Sequence, residues 1–210
     1  MTVTPRAGAP GFVYLASQSP RRRELLAQIG VRHELLLADG DEDVEALEAT
    51  RDGESPEDYV ERVTRAKLLA ARRRLRARGL VPAPILCADT TVAIGARILG
   101  KPIDGDDAAR MLALLSGRSH RVISAVAVAA RGRTRLAASV SRVRFAVVTP
   151  ARIERYVAAG EPFGKAGAYA IQSSAAAWIE KIEGSYTGIM GLPLHETAAL
   201  LEWAGVDVRP

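Results

Sequence analysis

The chain of 210 residues contains one cysteine, Cys87, so no disulfide can close within it, and that usage points to a reducing compartment, the cytoplasm. It has no apolar run near the ~18–20 residues a membrane span requires. The opening segment, MTVTPRAGAPG, has neither an apolar h-region nor a cleavage pattern. It is read as a disordered lead-in over residues 1–12, not as a signal peptide. Histidine is scarce too: His33, His120 and His195 lie far apart without metal-motif spacing, which argues against a Cys/His zinc site and leaves oxygen ligands for magnesium open. Repeats and long linkers are absent, and at 48% hydrophobic the chain can bury a sizeable core, so residues 13–208 are expected to form a single domain.

Known catalytic signatures are also missing. There is no G-x-S-x-G elbow. The stretch GEPFGKAGAY is no P-loop, since Gly160 and Gly164 enclose only three residues and Ala166, not Ser or Thr, follows Lys165. Asp39, Asp41 and Asp43 mimic an EF-hand start, but its Gly and Glu positions hold Val44 and Thr50. The net charge of +5 favours anionic partners in general. Much of that excess, ARRRLRARG at 71–79, reads as the basic end of a helix rather than a nucleic-acid surface.

What is present is a mixture of strand and helix patterns throughout, which places the chain in the α/β class with a mixed sheet. Val13–Ala16 reads as a strand, followed by a helix over 20–29. A second helix runs from Pro56 to about Arg78, with Tyr59, Val63, Ala66 and Ala70 at buried spacing. ILCADTTVAIG (85–95) begins as an apolar strand, is interrupted by Asp89 and resumes. A helix over 106–115, strands over 122–130 and 137–148, a helix over 150–159, a strand in AWIEKI and a closing helix in PLHETAALLEW complete the pattern.

Two stretches stand out. SPRRRE at 19–24 puts Arg21, Arg22 and Arg23 in the first turn of a helix, where the dipole disfavours each cation by about 0.3–1 kcal/mol. SPEDYVERV at 55–63 does the reverse, with Glu57 and Asp58 in that turn. A bound polyphosphate would resolve the contradiction, because a helix N-terminus carrying fixed cations is an anion site. Arginines turned to solvent, or paired with acids elsewhere, would resolve it equally well. Asp89, expected near the end of a buried strand, could hold Mg²⁺ or activate water, or could merely bond its own backbone in a turn. Lys101 in ILGKP is a cation on a short tether, the kind of lysine that is most often simply solvated.

Together, LASQSPRRRELL (15–26), ADTTV (88–92), ILGKP (98–102), LSGRSHRV (115–122), KAGAYAIQ (165–172) and GSYTGIMGLPLHET (184–197) resemble, in order and spacing, the Maf family of nucleoside triphosphate pyrophosphatases. The resemblance runs from about Val13 to Leu201. It implies a bent mixed sheet flanked by helices, two lobes around a deep nucleotide-binding cleft, and a homodimer. It implies metal-assisted attack of water at the α-phosphorus, with Mg²⁺ or Mn²⁺, giving a monophosphate and pyrophosphate. By matching position, Asp89 becomes the catalytic acidic residue, the proton acceptor, and a metal ligand, and Glu42 a second acidic residue for the metal. Ser17, Arg22 and Lys101 fall around the phosphates, and Lys67 and Lys165 match further family lysines. Arg21, Thr90 and Gln172 match the dTTP/UTP branch, including modified uridine triphosphates; the branch acting on 7-methyl-GTP typically has an aromatic residue in place of Arg21. Departures are Gly164 for an acid, Ala170 and Ser173 for glycines, and Ser124 for threonine. The rival expectation is a regulator of cell division that senses nucleotides or binds nucleic acid without hydrolysis.

Overall fold

The computed structural model describes residues 11–40, 42–43 and 45–209. Residues 1–10 of the expected lead-in, and Asp41 and Val44 of the acidic stretch, lie outside the described residues. At the end of that lead-in, Phe12 packs edge-on against Tyr14, with ring centroids 5.1 Å apart.

In chain order the elements are β1 (Val13–Leu15), α1 (Pro20–Gln28), β2 (His33–Leu35), a 3₁₀ turn (Glu45–Glu48), α2 (Pro56–Ala77), β3 (Ile85–Ile94), β4 (Arg97–Leu99), α3 (Gly105–Leu115), β5 (Ser119–Ala130), β6 (Arg133–Phe145), α4 (Pro150–Ala158), two 3₁₀ turns (Ala166–Ala168 and Ser174–Trp178), β7 (Ile179–Glu183), α5 (Tyr186–Met190) and α6 (Leu194–Ala204). The strands form one mixed sheet in the order β2-β1-β3-β5-β6-β7, with β4 also paired to β3.

The face of α2 that turns inward differs from the expected stripe. Val60, Thr64, Leu68 and Ala71 are buried along with Tyr59 and Val63, while Ala66 and Ala70 are only half-buried. The reason lies in the sheet beneath: Leu68 and Ala71 fill the space over Cys87 and Ala127, and Ala70 is left to line a cleft. On the opposite face, Leu25 and Leu26 of α1 and Leu200 and Leu201 of α6 bury against Leu86, Val126 and Val128. Each such side chain contributes about 1.5–3 kcal/mol on leaving water. A separate cluster at the other end of the sheet gathers Leu112 and Leu115 of α3 and Ile153 and Tyr156 of α4 around Phe145 and Trp178.

β3 also departs from expectation. It is one continuous ten-residue strand, and Asp89 sits in its middle rather than at its end. The interruption lies across the sheet instead of along the chain. On one edge β3 pairs with β5 from Ile85 to Ala93. On the other, Ile85 and Leu86 pair with β1, and Val92–Ile94 pair with β4. Between those two short partners, among the described residues, Cys87–Thr91 has no neighbouring strand. The cleft opens at that gap.

Candidate active site

Successive strand residues point to opposite faces, so the free edge of β3 delivers chemistry to both sides of the sheet. Asp89 faces α2 and meets Lys67; Thr90 faces α1 and meets Arg22.

Arg21 and Arg22 of α1 are neither turned fully to solvent nor paired with acids. Ser19 occupies the N-cap position but makes no side-chain cap bond. Arg21 Nε donates to Met190 O at 3.3 Å, and Arg22 Nε donates to Gly191 O at 2.8 Å. Those carbonyls close the C-terminal end of α5, the negative pole of that helix. A cation unfavourable at its own helix start is thus held by the end of another. Gly191 suits this turn, because its φ of +120° is a backbone conformation that side chains rarely adopt. The rest of the Arg22 fork donates to Ser17 Oγ (3.1 Å) and reaches Thr90 Oγ1 (3.5 Å). Ser124 Oγ donates to Gly188 O at 2.6 Å, so the 2.7 Å contact between Thr90 and Ser124 runs from the threonine hydroxyl to the serine oxygen. Burial pushes the Arg22 guanidinium down from its ordinary value while Asp89 opposes the shift; an arginine remains charged regardless. Arg23 is exposed and takes no part in the cleft wall.

On the α2 side, Lys67 Nζ lies 2.5 Å from Asp89 Oδ1 and 2.6 Å from Glu48 Oε1. Lys101 Nζ lies 3.1 Å from Glu48 Oε2. Burial alone would raise the Glu48 carboxyl, but Lys67 and Lys101 outweigh it and hold the group below its ordinary value. Tyr59 fixes this acid in place by donating its hydroxyl to Glu48 O at 2.8 Å. Glu42 also lines the cleft, but it is engaged by Arg74 at 2.7 Å, and Arg74 is tied to Leu36 O at 2.6 Å. Arg78 pairs with Asp39 at 2.6 Å. Two arginines at the basic end of the α2 stretch thus pair with two acids of the acidic stretch.

The cleft has a volume of about 1040 Å³, room for a nucleotide. Lys165 and Gln172 line its far wall; Lys165 donates to Glu161 O, and Gln172 is exposed. Ser173 closes its own turn by donating to Ala170 O at 2.8 Å. Cys87 is fully buried, and burial pushes its thiol up to about 12, so it is a core residue and no nucleophile. Among the described residues no three His, Cys, Asp or Glu side chains gather as a metal site. Mg²⁺ needs no such cage, since one or two carboxylates, phosphate oxygens and water satisfy it, and the hard oxygens of Asp89 fit that mode.

The structure thus brings Ser17, Arg21, Arg22 and Thr90 together on one side of β3, and Asp89, Lys67 and Lys101 on the other, the last through Glu48. Lys165 and Gln172 face the same space; Glu42 is held apart by Arg74. Sequence reading missed Glu48, Tyr59 and Arg74 as parts of this wall, and it missed the carbonyls of Met190 and Gly191 entirely. The complementary charge runs at 39–43 and 72–78 were the one available signal for Arg74.

A family model described as "Maf-like protein" matches residues 12–204. The chain is 63% identical over 205 residues to a dTTP/UTP pyrophosphatase of Ralstonia nicotianae, covering 97% of this chain and 99% of that one. It is 63% identical over 195 residues to a dTTP/UTP pyrophosphatase of Cupriavidus metallidurans (93% and 98%), and 61% identical over 201 residues to one of a Polaromonas species (95% and 99%).

Proposed function

We propose that this chain, which belongs to the Maf family, hydrolyses nucleoside triphosphates to the monophosphate and pyrophosphate, with dTTP, UTP and modified uridine triphosphates as its preferred substrates. The observation that carries this reading is the placement of Asp89 on a free strand edge, with cations reaching the same cleft from both faces of the sheet. A polyphosphate needs several fixed positive charges, and hydrolysis adds one carboxylate among them.

In this reading Arg21 and Arg22, with Ser17 and the uncapped start of α1, take the phosphates on one side. Lys101 and Lys67 leave Glu48 to meet them on the other. Arg22 is pre-set by three acceptors, so little reorganisation accompanies binding. Asp89 orients the attacking water and accepts its proton. The water oxygen bonds to the α-phosphorus as the bond to the α–β bridging oxygen breaks, and pyrophosphate leaves with that electron pair. A divalent cation, Mg²⁺ or Mn²⁺, would be held by Asp89, and when bound it would supply charge neutralisation and a more acidic water. Glu42 is the weaker candidate for that role, because Arg74 occupies it. Thr90 stands beside Arg22 among these phosphate-facing groups, and the Gln172 amide, which can both donate and accept, reads the uracil or thymine edge, with Lys165 beside it.

The activity resides in one domain over residues 13–208, acting as a homodimer in the cytoplasm. The cytoplasmic assignment is supported by the lone cysteine, which is buried and free, and among the described residues no helix is long and apolar enough to cross a membrane. The test is pyrophosphate release, with Mg²⁺ or Mn²⁺, from dTTP, UTP, a modified UTP, GTP, 7-methyl-GTP, ATP and CTP. Selective release from dTTP and the uridine triphosphates is expected. Release from 7-methyl-GTP alone would overturn the substrate assignment, and nucleotide binding without release would overturn hydrolysis.

A further inference from the structure

His120 and Tyr169 belong to two of the motif stretches, yet neither takes part in the chemistry above. They lie beneath the far wall of the cleft. His120 is 2% exposed, and its Nε2 lies 2.7 Å from the Tyr169 hydroxyl. Phe145 packs edge-on against both rings, at 5.0 Å and 4.8 Å. The other imidazole nitrogen, Nδ1, is buried without a partner. Burial pushes His120 down to about 4, so near neutrality the ring is uncharged and bonds through one nitrogen only.

For stability alone this is a poor choice. Two apolar side chains of similar shape would fill the pocket and leave no orphaned nitrogen. What the polar pair adds is direction: one hydroxyl is held at one point. The backbone around Tyr169 explains what that direction serves. Gly167 and Ala168 are consecutive left-handed residues, with φ of +67° and +62°, the latter strained for an alanine. Gly167 is pinned by its N–H to Gly100 O at 3.0 Å and lies where a Cβ would meet Val92 at 2.8 Å. The chain thus turns sharply at a fixed point, and the segment beyond it carries Gln172. Between that turn and the bonds of Ser173, Ile171 is buried in the core, and the Tyr169 hydroxyl makes the one side-chain hydrogen bond among the described residues of that stretch.

We propose that His120 and Tyr169 are positioning residues for base recognition: their buried hydrogen bond sets segment 165–172, so that Lys165 and Gln172 meet the nucleobase. This rests on the reading of the cleft as a uridine and thymidine nucleotide site. The pair bears on the base end and not on the phosphate end, which is built from Arg21, Arg22 and Asp89 on other elements.

The test compares Tyr169→Phe, His120→Leu and the double variant with the natural protein. KM for UTP should rise roughly threefold to tenfold, the range of one hydrogen bond, with kcat within about twofold. The preference for UTP over CTP should narrow by a similar factor. Inhibition by inorganic tripolyphosphate should stay unchanged, the melting temperature should fall in each single variant, which leaves one buried polar atom unpaired, and recover in the double variant, and the double variant should lose no more in KM and preference than either single one. An unchanged KM and preference in the folded variants would overturn the proposal. So would parallel losses in melting temperature, kcat and tripolyphosphate affinity, which are the marks of a merely structural role. Should either single variant fail to fold, His120→Gln, which keeps a polar partner, is expected to retain the natural preference, and its loss would count against the proposal. If the natural protein turns over none of these nucleotides, the reading of hydrolysis fails separately. Calorimetry with UMP then still decides the loop, a weaker affinity in Tyr169→Phe supporting it and an equal one overturning it.

Discussion

Helices α1 and α2 begin with the same two residues, Ser-Pro, and end up serving opposite purposes. At α2, Ser55 Oγ accepts the Asp58 N–H at 3.1 Å and donates to the Asp58 carboxylate at 2.6 Å, with Glu57 and Asp58 complementing the dipole. That end is finished internally. At α1 the serine makes no cap bond, the first turn holds no acid, and the arginines are held by carbonyls at the end of α5. That end is left incomplete toward the cleft. The two helices pack on opposite faces of the sheet and converge on one strand, α2 through Lys67 on Asp89 and α1 through Arg22 on Thr90. A helix start that breaks the local electrostatic rule is informative because its neighbour in the same fold obeys it.

The comparison can be broken at its meeting point first. Asp89→Asn should lower kcat for pyrophosphate release by ~100-fold or more, the scale of a lost proton acceptor, with nucleotide affinity largely kept. Retention of more than a few per cent of turnover would remove Asp89 from the reaction. Next, at the unfinished end, Arg22→Ala should raise KM for UTP by roughly 10-fold to 100-fold, as expected for a lost charge-assisted contact. Arg22→Lys should rescue little, because a point charge cannot serve Gly191, Ser17 and Thr90 at once. Inhibition by UMP should change far less in both variants. The smallest effects compare the serines themselves. Ser55→Ala should cost about 1 kcal/mol in denaturant unfolding, with activity intact. Ser19→Ala, which removes no cap bond, should stay within about 0.5 kcal/mol. Equal losses at the two serines would mean that the two helix starts are alike after all.

Most elements were legible because hydrophobic period and caps agree locally. The arginines drew notice because they contradict a local rule, and Asp89 because an acid interrupts an apolar run. What that run could not reveal is that the strand continues through Asp89. The site arises because β1 and β4 each cover only part of one edge of β3, and the lengths of partner strands are not written in β3 itself. Glu48 was invisible for a similar reason: nothing in VEALE marks one glutamate, and only Lys67, 19 residues on, and the Tyr59 hydroxyl select it. The acceptors for Arg21 and Arg22 are backbone carbonyls 169 residues away, which side-chain identity cannot report. The acidic and basic runs looked like separate features, and two ion pairs join them, since Arg74 of α2 and Arg78 just past its end pair with Glu42 and Asp39.

The central claim is that this cleft directs water to the α-phosphorus of a nucleoside triphosphate. Turnover of UTP in ¹⁸O-labelled water, with the products separated and weighed by mass spectrometry, tests it most directly. The label should appear in UMP, with unlabelled pyrophosphate beside it. Label in pyrophosphate, or release of orthophosphate and UDP, would contradict the account.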